Sequence, residues 1–128
     1  MVPDLIAESI RRVAVLNRDV SAVYLFGSQS DGSAWPDSDI DLGVLYRTRQ
    51  PLATTLQLEE ECERALGTKV DFVDAARAGA FLALAIGRGE RIFCREATEA
   101  DRFELYVLRR AGDLLPFERQ RQALMTRS

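Results

Sequence analysis

The chain has 128 residues, of which 47% are hydrophobic and 29% charged, and its 17 basic and 20 acidic side chains give a net charge of −3. This length corresponds to one domain, and the acidic balance argues against direct nucleic-acid binding, which requires basic residues to neutralise phosphates. Histidine is absent, which excludes imidazole catalysis and histidine-ligated zinc.

The cysteines and the apolar runs indicate the compartment. Cys62 and Cys94 lie far apart in the sequence and are interpreted as free thiols of a reducing environment, with a single disulfide as the alternative. No apolar run approaches the ~20 residues that span a bilayer, and the N-terminus lacks a basic-then-apolar signal. We therefore expect a cytoplasmic domain that does not contact membrane.

Hydrophobic spacing predicts alternating helices and strands along the chain. Helices are predicted over 4–18, from Pro51 to a C-terminal Gly67, over about 78–86, and over about 98–116 with Thr98 as the cap. Strands are predicted over 22–26, 39–46, 70–73 and 91–94, with a loop over 28–37. We expect an α+β (mixed α/β) fold, with a sheet of about four strands covered by helices. A single domain would fill residues 1–128, with its core over about 4–95.

Two carboxylates mark the start of the second predicted strand. In Asp39-Ile40-Asp41, alternation along a strand places Asp39 and Asp41 on one face and Ile40 on the other. Two convergent carboxylates form an all-oxygen site that suits Mg²⁺, or Mn²⁺ as a substitute. The alternative for an isolated Asp-x-Asp is a solvated strand edge or a turn cap.

The first predicted strand ends in Gly27-Ser28, and ten residues separate Ser28 from Asp39. Gly27 allows a phosphate to approach the backbone, and the Ser28 hydroxyl can donate a hydrogen bond to phosphate oxygens. A phosphate cradle beside a carboxylate-bound metal is the equipment of phosphoryl or nucleotidyl transfer. The missing histidine is therefore no obstacle to this chemistry.

A third carboxylate, Asp71, lies in the next predicted strand. If that strand pairs with the strand 39–46, Asp71 joins the same face, where it can hold a metal or accept a proton from the incoming hydroxyl. Asp74 is a weaker candidate because alternation places it on the other face, and it lies near the strand end. Tyr24 is interpreted as structural, and the run Glu59-Glu60-Glu61 as a solvated helix face.

The pattern Gly27-Ser28, ten intervening residues, Asp39-Ile40-Asp41 and a later Asp71 resembles the nucleotidyltransferase superfamily related to DNA polymerase β. Over about residues 4–95, the chain looks most like the minimal nucleotidyltransferases, which act as antitoxins paired with HEPN-type ribonuclease toxins. The resemblance implies that AMP passes from ATP to a tyrosine hydroxyl of the toxin, which silences it, and it allows a hetero-oligomer of the two proteins. It also implies that Asp39, Asp41 and Asp71 are catalytic metal ligands and that Gly27 and Ser28 bind the nucleotide.

The loop after Ser28 departs from this family. Family loops often carry arginine one and three residues after the serine, where this chain has Gln29 and Asp31. Contacts to the triphosphate would then come from elsewhere, and Arg47, Arg49 and Lys69 are the candidates.

Two other functions stay open. A small-molecule nucleotidyltransferase, such as one acting on aminoglycosides, resembles this core but usually adds a helical domain for which 128 residues leave no room. A non-catalytic antitoxin would neutralise its toxin by binding alone. The shortness of the chain favours an acceptor supplied by a second protein.

Overall fold

The computed structural model describes the backbone of residues 4–27 and 40–126, and the side chains of residues 4–27 and 40–114. Within these ranges four strands form one sheet in the order β3-β2-β1-β4. The elements are α1 (Asp4–Leu16), β1 (Val20–Phe26), β2 (Ile40–Tyr46), α2 (Leu52–Leu66), β3 (Val70–Asp74), a 3₁₀ turn (Ala75–Arg77), α3 (Ala80–Gly87), β4 (Glu90–Cys94) and α4 (Ala97–Thr126). The predicted α+β fold is confirmed.

The sheet is mixed. Strand β1 is antiparallel to both β2 and β4, whereas β2 and β3 run parallel because α2 forms the crossover between them. The parallel pair is important for the site because it brings the first residues of β2 and β3 to the same end of the sheet.

Helices cover both faces of the sheet and create two cores. Helices α1 and α2 pack on one face, where the buried side chains include Ile10, Leu25, Leu42, Leu58 and Val70. Helices α3 and α4 pack on the other face, where the buried side chains include Tyr24, Phe26, Ala83, Ile86 and Val107. Because alternate strand residues point to opposite faces, odd-numbered β2 residues from Asp41 onward project toward α3 and α4.

Most helix ends lie close to their predicted positions. Gly67 ends α2 in the left-handed conformation, with φ of 69° and its N–H donating to the Glu63 carbonyl, as predicted. Helix α4 differs from the prediction of about 98–116. It begins at Ala97, so Thr98 lies inside the first turn rather than at the cap, and it continues through Pro116 to Thr126. The segment after Pro116 consists largely of good helix formers, which outweigh the single proline.

The interpretation of the glutamate run as a solvated face was wrong for two of its three members. Glu59 Oε2 accepts a hydrogen bond of 2.9 Å from the Phe72 backbone N–H, and Glu61 Oε2 accepts one of 3.2 Å from Asn17 Nδ2. Strand β3 lies at the sheet edge, so Glu59 satisfies a strand N–H that no neighbouring strand can pair. Helical periodicity alone does not reveal such a tertiary contact.

A polar network ties α4 to the sheet. The buried Tyr24 hydroxyl donates to Glu104 Oε2 at 2.7 Å, and Arg91 of β4 pairs with both Glu104 and Asp101. Burial, followed by the hydrogen bond to Glu104, raises the pKa of Tyr24 above its ordinary range. Tyr24 is therefore structural, as predicted, and it fixes the position of α4 over β1.

Both cysteines are free thiols. Cys62 is buried in α2, and burial raises its pKa to about 12, whereas Cys94 is half-buried. In the described part of the chain, no helix combines the length and the apolar character needed to cross a bilayer.

Candidate nucleotidyl-transfer site

One end of three adjacent strands carries a row of residues in register, namely Phe26, Asp41 and Asp71. Asp41 of β2 lies opposite Phe26 of β1 and in register with Asp71 of β3. Residues in register on neighbouring strands lie about 5 Å apart and point to the same face. The structure therefore brings Asp41 and Asp71 side by side, on the face covered by α3 and α4.

The two carboxylates differ in their environment. Asp41 is half-buried between β1 and β3, whereas Asp71 is exposed on the edge strand. Their neighbours in sequence, Ile40, Leu42, Val70 and Phe72, are all buried in the opposite core. The hydrophobic residues on either side of each aspartate thus fix the direction in which its carboxylate points.

Gly27 lies directly after β1 and beside the carboxylate of Asp41. It has a φ of 78°, a left-handed conformation that favours glycine. A Cβ added at this position would lie 2.7 Å from Asp41 Oδ2, which is closer than non-bonded atoms tolerate. The left-handed φ therefore favours glycine where the chain leaves β1, and a side chain at this position would also displace the Asp41 carboxylate.

Two predicted site residues, Ser28 and Asp39, lie outside the described residues. In the sequence Ser28 follows Gly27 and Asp39 precedes Ile40, the first residue of β2. Of the five predicted site residues, the structure places Gly27, Asp41 and Asp71, and it brings these three to one end of the sheet.

The remaining carboxylate candidate, Asp74, has a structural role. It is buried, its side chain accepts a 3.0 Å hydrogen bond from the Ala76 N–H, and Arg77 pairs with it at 3.4 Å. It caps the 3₁₀ turn that follows β3. The carboxylate of Asp74 is thus occupied by contacts within its own turn, and Asp71 stays the proposed third carboxylate of the site.

The three basic residues proposed to contact the triphosphate do not lie at the same end of the sheet. The Lys69 carbonyl accepts a 3.5 Å bond from the Ile40 N–H, so Lys69 lies at the Asp41 end of the sheet. Arg47 follows the other end of β2, where its N–H bonds to the Asp19 carbonyl at 2.8 Å, and Arg49 lies further along. Only Lys69 is at the end of the sheet that carries the two aspartates.

Gly43 is a positioning residue that the sequence analysis did not single out. It lies two residues after Asp41 on the same face, and a Cβ there would lie 2.4 Å from Ile86 Cγ2. The missing side chain lets Ile86 of α3 pack directly onto β2 beside the aspartates. The sequence signal was a glycine within an otherwise apolar strand, which often marks a close approach of another element.

The donor set at this edge suits a hard cation. Mg²⁺ is commonly held by one or two carboxylates and keeps several waters, which fits the paired oxygen donors of Asp41 and the exposed Asp71. No cluster of three or more acidic or cysteine side chains with metal-binding geometry occurs among residues 4–27 and 40–114. The third proposed ligand, Asp39, lies outside these ranges.

A comparison with protein-family models also identifies a nucleotidyltransferase domain. Residues 8–98 match the family model described as Polymerase beta, Nucleotidyltransferase. No curated protein sequence matches the chain.

Solved structures match nearly the whole chain. A toxin-antitoxin crystal structure with AMP-PNP is 23% identical, with a TM-score of 0.75 over 93% of this chain and 94% of that one. The toxin-antitoxin MntA-HepT is 21% identical, with a TM-score of 0.72 over 96% of each chain. A complex of tri-AMPylated Shewanella oneidensis HEPN toxin with MNT antitoxin is 22% identical, with a TM-score of 0.72 over 95% and 94%. At these identities, the likeness shows a shared fold.

Proposed function

Because the chain belongs to the polymerase beta nucleotidyltransferase family, we propose that it is an antitoxin that transfers AMP from ATP to a tyrosine hydroxyl of a HEPN-type ribonuclease toxin. The structural relatives support this proposal, since one contains AMP-PNP and another is an MNT antitoxin with a tri-AMPylated HEPN toxin. The proposed location is the cytoplasm, where ATP is available.

The proposed reaction is a displacement at the α-phosphorus of ATP. The tyrosine oxygen forms a bond to the α-phosphorus, the bond between that phosphorus and the β-phosphate oxygen breaks, and pyrophosphate leaves. The hydroxyl proton passes to a carboxylate, for which the exposed Asp71 is the proposed acceptor. The product is a tyrosine-linked AMP, which removes the phenolic hydroxyl from use by the toxin.

Each proposed site residue has a defined task. Asp41, Asp71 and Asp39 would hold Mg²⁺, or Mn²⁺ in its place. When bound, the cation would neutralise charge on the triphosphate. Gly27 leaves the strand without a side chain between the backbone and Asp41, and with Ser28 it would bind phosphate oxygens. Positioning and charge neutralisation supply most of the catalysis in this chemistry.

The observation that carries the proposal is the register of Asp41 with Asp71 at the point where Gly27 leaves β1. The glycine and the two carboxylates come from three strands that are separate in sequence. A solvated strand edge does not require a left-handed glycine against one of its carboxylates. A phosphate that approaches the backbone beside the two carboxylates does need a residue without a side chain at that point.

The proposal is tested by incubating the chain with ATP, Mg²⁺ and the protein encoded by the neighbouring gene, the proposed HEPN-type toxin, and then measuring the intact mass of that protein. We expect the mass to rise in steps of one AMP. The rise should stop when EDTA is added and resume when excess Mg²⁺ is restored. Tight binding with unchanged toxin mass would instead identify a non-catalytic antitoxin. Transfer to an aminoglycoside but not to the toxin would identify a small-molecule enzyme.

A further inference from the structure

A cavity of about 430 Å³ lies where α4 crosses the end of the sheet opposite the aspartates. We call it the α4 groove, and the residues that define it are Leu45, Ala75, Phe103, Tyr106, Arg102 and Arg110. Its volume is within the range of pockets that accept a ligand or a side-chain cluster. Its walls combine apolar and aromatic surface with two guanidinium groups.

The groove is separate from the proposed catalytic row. Leu45 lies on the same face of β2 as Asp41 but four residues further along, a distance of roughly 14 Å in an extended strand. Ile86 packs over Gly43 between the two positions. A ligand in the groove would therefore not touch the aspartates, although a protein bound there could reach them.

The groove is basic although the chain is acidic. Arg102, Tyr106 and Arg110 follow a spacing of four residues along α4 and so form one stripe. An adjoining cavity of about 260 Å³ shares Leu45, Phe103 and Arg102 and adds Arg47. These arginines form no ion pair among the described side chains.

Arginines outnumber acidic residues on this surface. Nearby Asp74 pairs with Arg77, whereas Glu99, which lines the adjoining cavity, keeps its charge while it accepts a hydrogen bond from the Ser21 hydroxyl. The two cavities are therefore lined by three arginines and one glutamate, and the local charge is positive in a chain whose net charge is −3. Such a local reversal of sign favours an anionic partner.

The groove also leaves apolar surface uncovered. Tyr106 is 58% exposed although it lines the cavity, and Ala75 and Ala76 lack the side-chain volume to fill it. Tyrosine and arginine are the residues that most often dominate the binding energy of protein interfaces. An apolar floor with flanking arginines fits a protein segment better than it fits a nucleic-acid backbone, which needs a continuous basic track.

We propose that the α4 groove binds a segment of the AMP-accepting protein in which apolar side chains are flanked by aspartate or glutamate. This proposal rests on the proposed function, because it assigns the docking surface for the acceptor of that reaction. The apolar side chains occupy the cavity between Leu45 and Phe103. The acidic side chains pair with Arg102 and Arg110, and the bound protein extends from the groove toward the aspartate row.

The test measures the Kd of the fluorescently labelled toxin for variants of the full chain, without ATP. The double variant Arg102→Glu/Arg110→Glu reverses the charge of the stripe. Ala76→Trp fills the cavity from an exposed position without altering any charge. Arg64→Glu, at an exposed arginine on α2, is the control for a charge reversal away from the groove. Circular dichroism confirms that each variant is folded.

We expect the charge reversal and Ala76→Trp each to raise the Kd at least tenfold, and Arg64→Glu to change it less than twofold. The affinity of the unaltered chain should fall with added salt, and the charge-reversed variant should lose most of this dependence. Wild-type affinity in both groove variants, or no binding of toxin by the unaltered chain, would overturn the proposal.

Two further readouts separate this proposal from others. If the toxin gains AMP but the groove variants bind it normally, the docking surface is wrong and the proposed function stands. If the toxin binds through the groove but never gains AMP, the docking surface stands and the transfer does not. If a labelled single-stranded RNA binds more tightly than the toxin and loses affinity on charge reversal, the groove is a nucleic-acid site and the proposal fails.

Discussion

The carboxylate of Asp41 lies directly against the backbone of Gly27, so that a Cβ on residue 27 would come within 2.7 Å of Asp41 Oδ2. Gly27 directly follows the last residue of β1, and Asp41 is the second residue of β2. Thirteen residues lie between them in the sequence. Their contact connects the proposed phosphate-binding turn to the proposed metal-binding carboxylate. A change in either residue is therefore expected to displace the other.

Gly27→Ala tests this contact. The new methyl group meets Asp41 Oδ2, and alanine disfavours the φ of 78°, so we expect a loss of about 1–2 kcal/mol in unfolding free energy together with loss of AMP transfer. Gly79→Ala is the matched control because Gly79 has open space around it and an ordinary φ of −66°. Urea unfolding and the transfer assay provide the readouts. Normal transfer by Gly27→Ala would show that the close contact has no part in the activity.

Much of this site could be predicted from the sequence because its signals are local. Alternation along β2 and β3 determines that Asp41 and Asp71 point away from the α1/α2 core, and the left-handed glycine is typical of a turn that leaves a strand. The order of the strands is a tertiary property. The sequence analysis therefore stated the pairing of β2 with β3 only as a condition, which the structure meets.

Contacts between distant elements could not be predicted. The bond from Phe72 N–H to Glu59 and the pairing of Arg91 with Glu104 depend on how helices dock, and the local pattern of charges does not reveal docking. The same applies to Gly43, whose close neighbour Ile86 is 43 residues later in the sequence.

Gly43→Ala tests the packing of α3 over the site. The added methyl would lie 2.4 Å from Ile86 Cγ2, so we expect a destabilisation of about 1–3 kcal/mol from overpacking. Combining it with Ile86→Ala removes Cγ2, Cγ1 and Cδ1, the three atoms that crowd the new methyl, so the double variant should be more stable than the sum of the single changes predicts. Gly112→Ala, in open space on α4, should be neutral or stabilising. If the changes in unfolding free energy measured in urea are strictly additive, Gly43 and Ile86 are not in contact.

Glu104→Ala tests the network that holds α4. It leaves the buried Tyr24 hydroxyl and Arg91 without their shared partner, so we expect a loss of about 1–3 kcal/mol in unfolding free energy. Tyr24→Phe alone should cost about 1 kcal/mol. A double-mutant cycle should give a coupling energy of at least about 0.5 kcal/mol. Zero coupling would mean that the hydrogen bond contributes nothing to stability.

Cys62 predicts a pH dependence of stability. Its pKa is raised from 9.0 to about 12 by burial, so between these values the unfolded chain loses the thiol proton while the folded chain keeps it. Stability should therefore fall as pH rises above 9, by up to about 1.4 kcal/mol per pH unit from this group. Cys62→Ala should reduce that slope. If stability depends on pH equally in the Cys62→Ala variant and the unaltered chain, the Cys62 thiol does not cause the pH dependence.

The central claim is that Asp41 and Asp71 together form the catalytic row of a nucleotidyltransferase. The most direct measurement is the initial rate at which the α-phosphate label of ATP passes to the toxin, for the unaltered chain, Asp41→Asn, Asp71→Asn and the control Asp19→Asn at the far end of β1. Removing one carboxylate from a metal-assisted site costs several kcal/mol of transition-state stabilisation, so each site variant should be at least about 100-fold slower. The control should match the unaltered chain. Rates for Asp41→Asn and Asp71→Asn within a few-fold of the control would contradict the account.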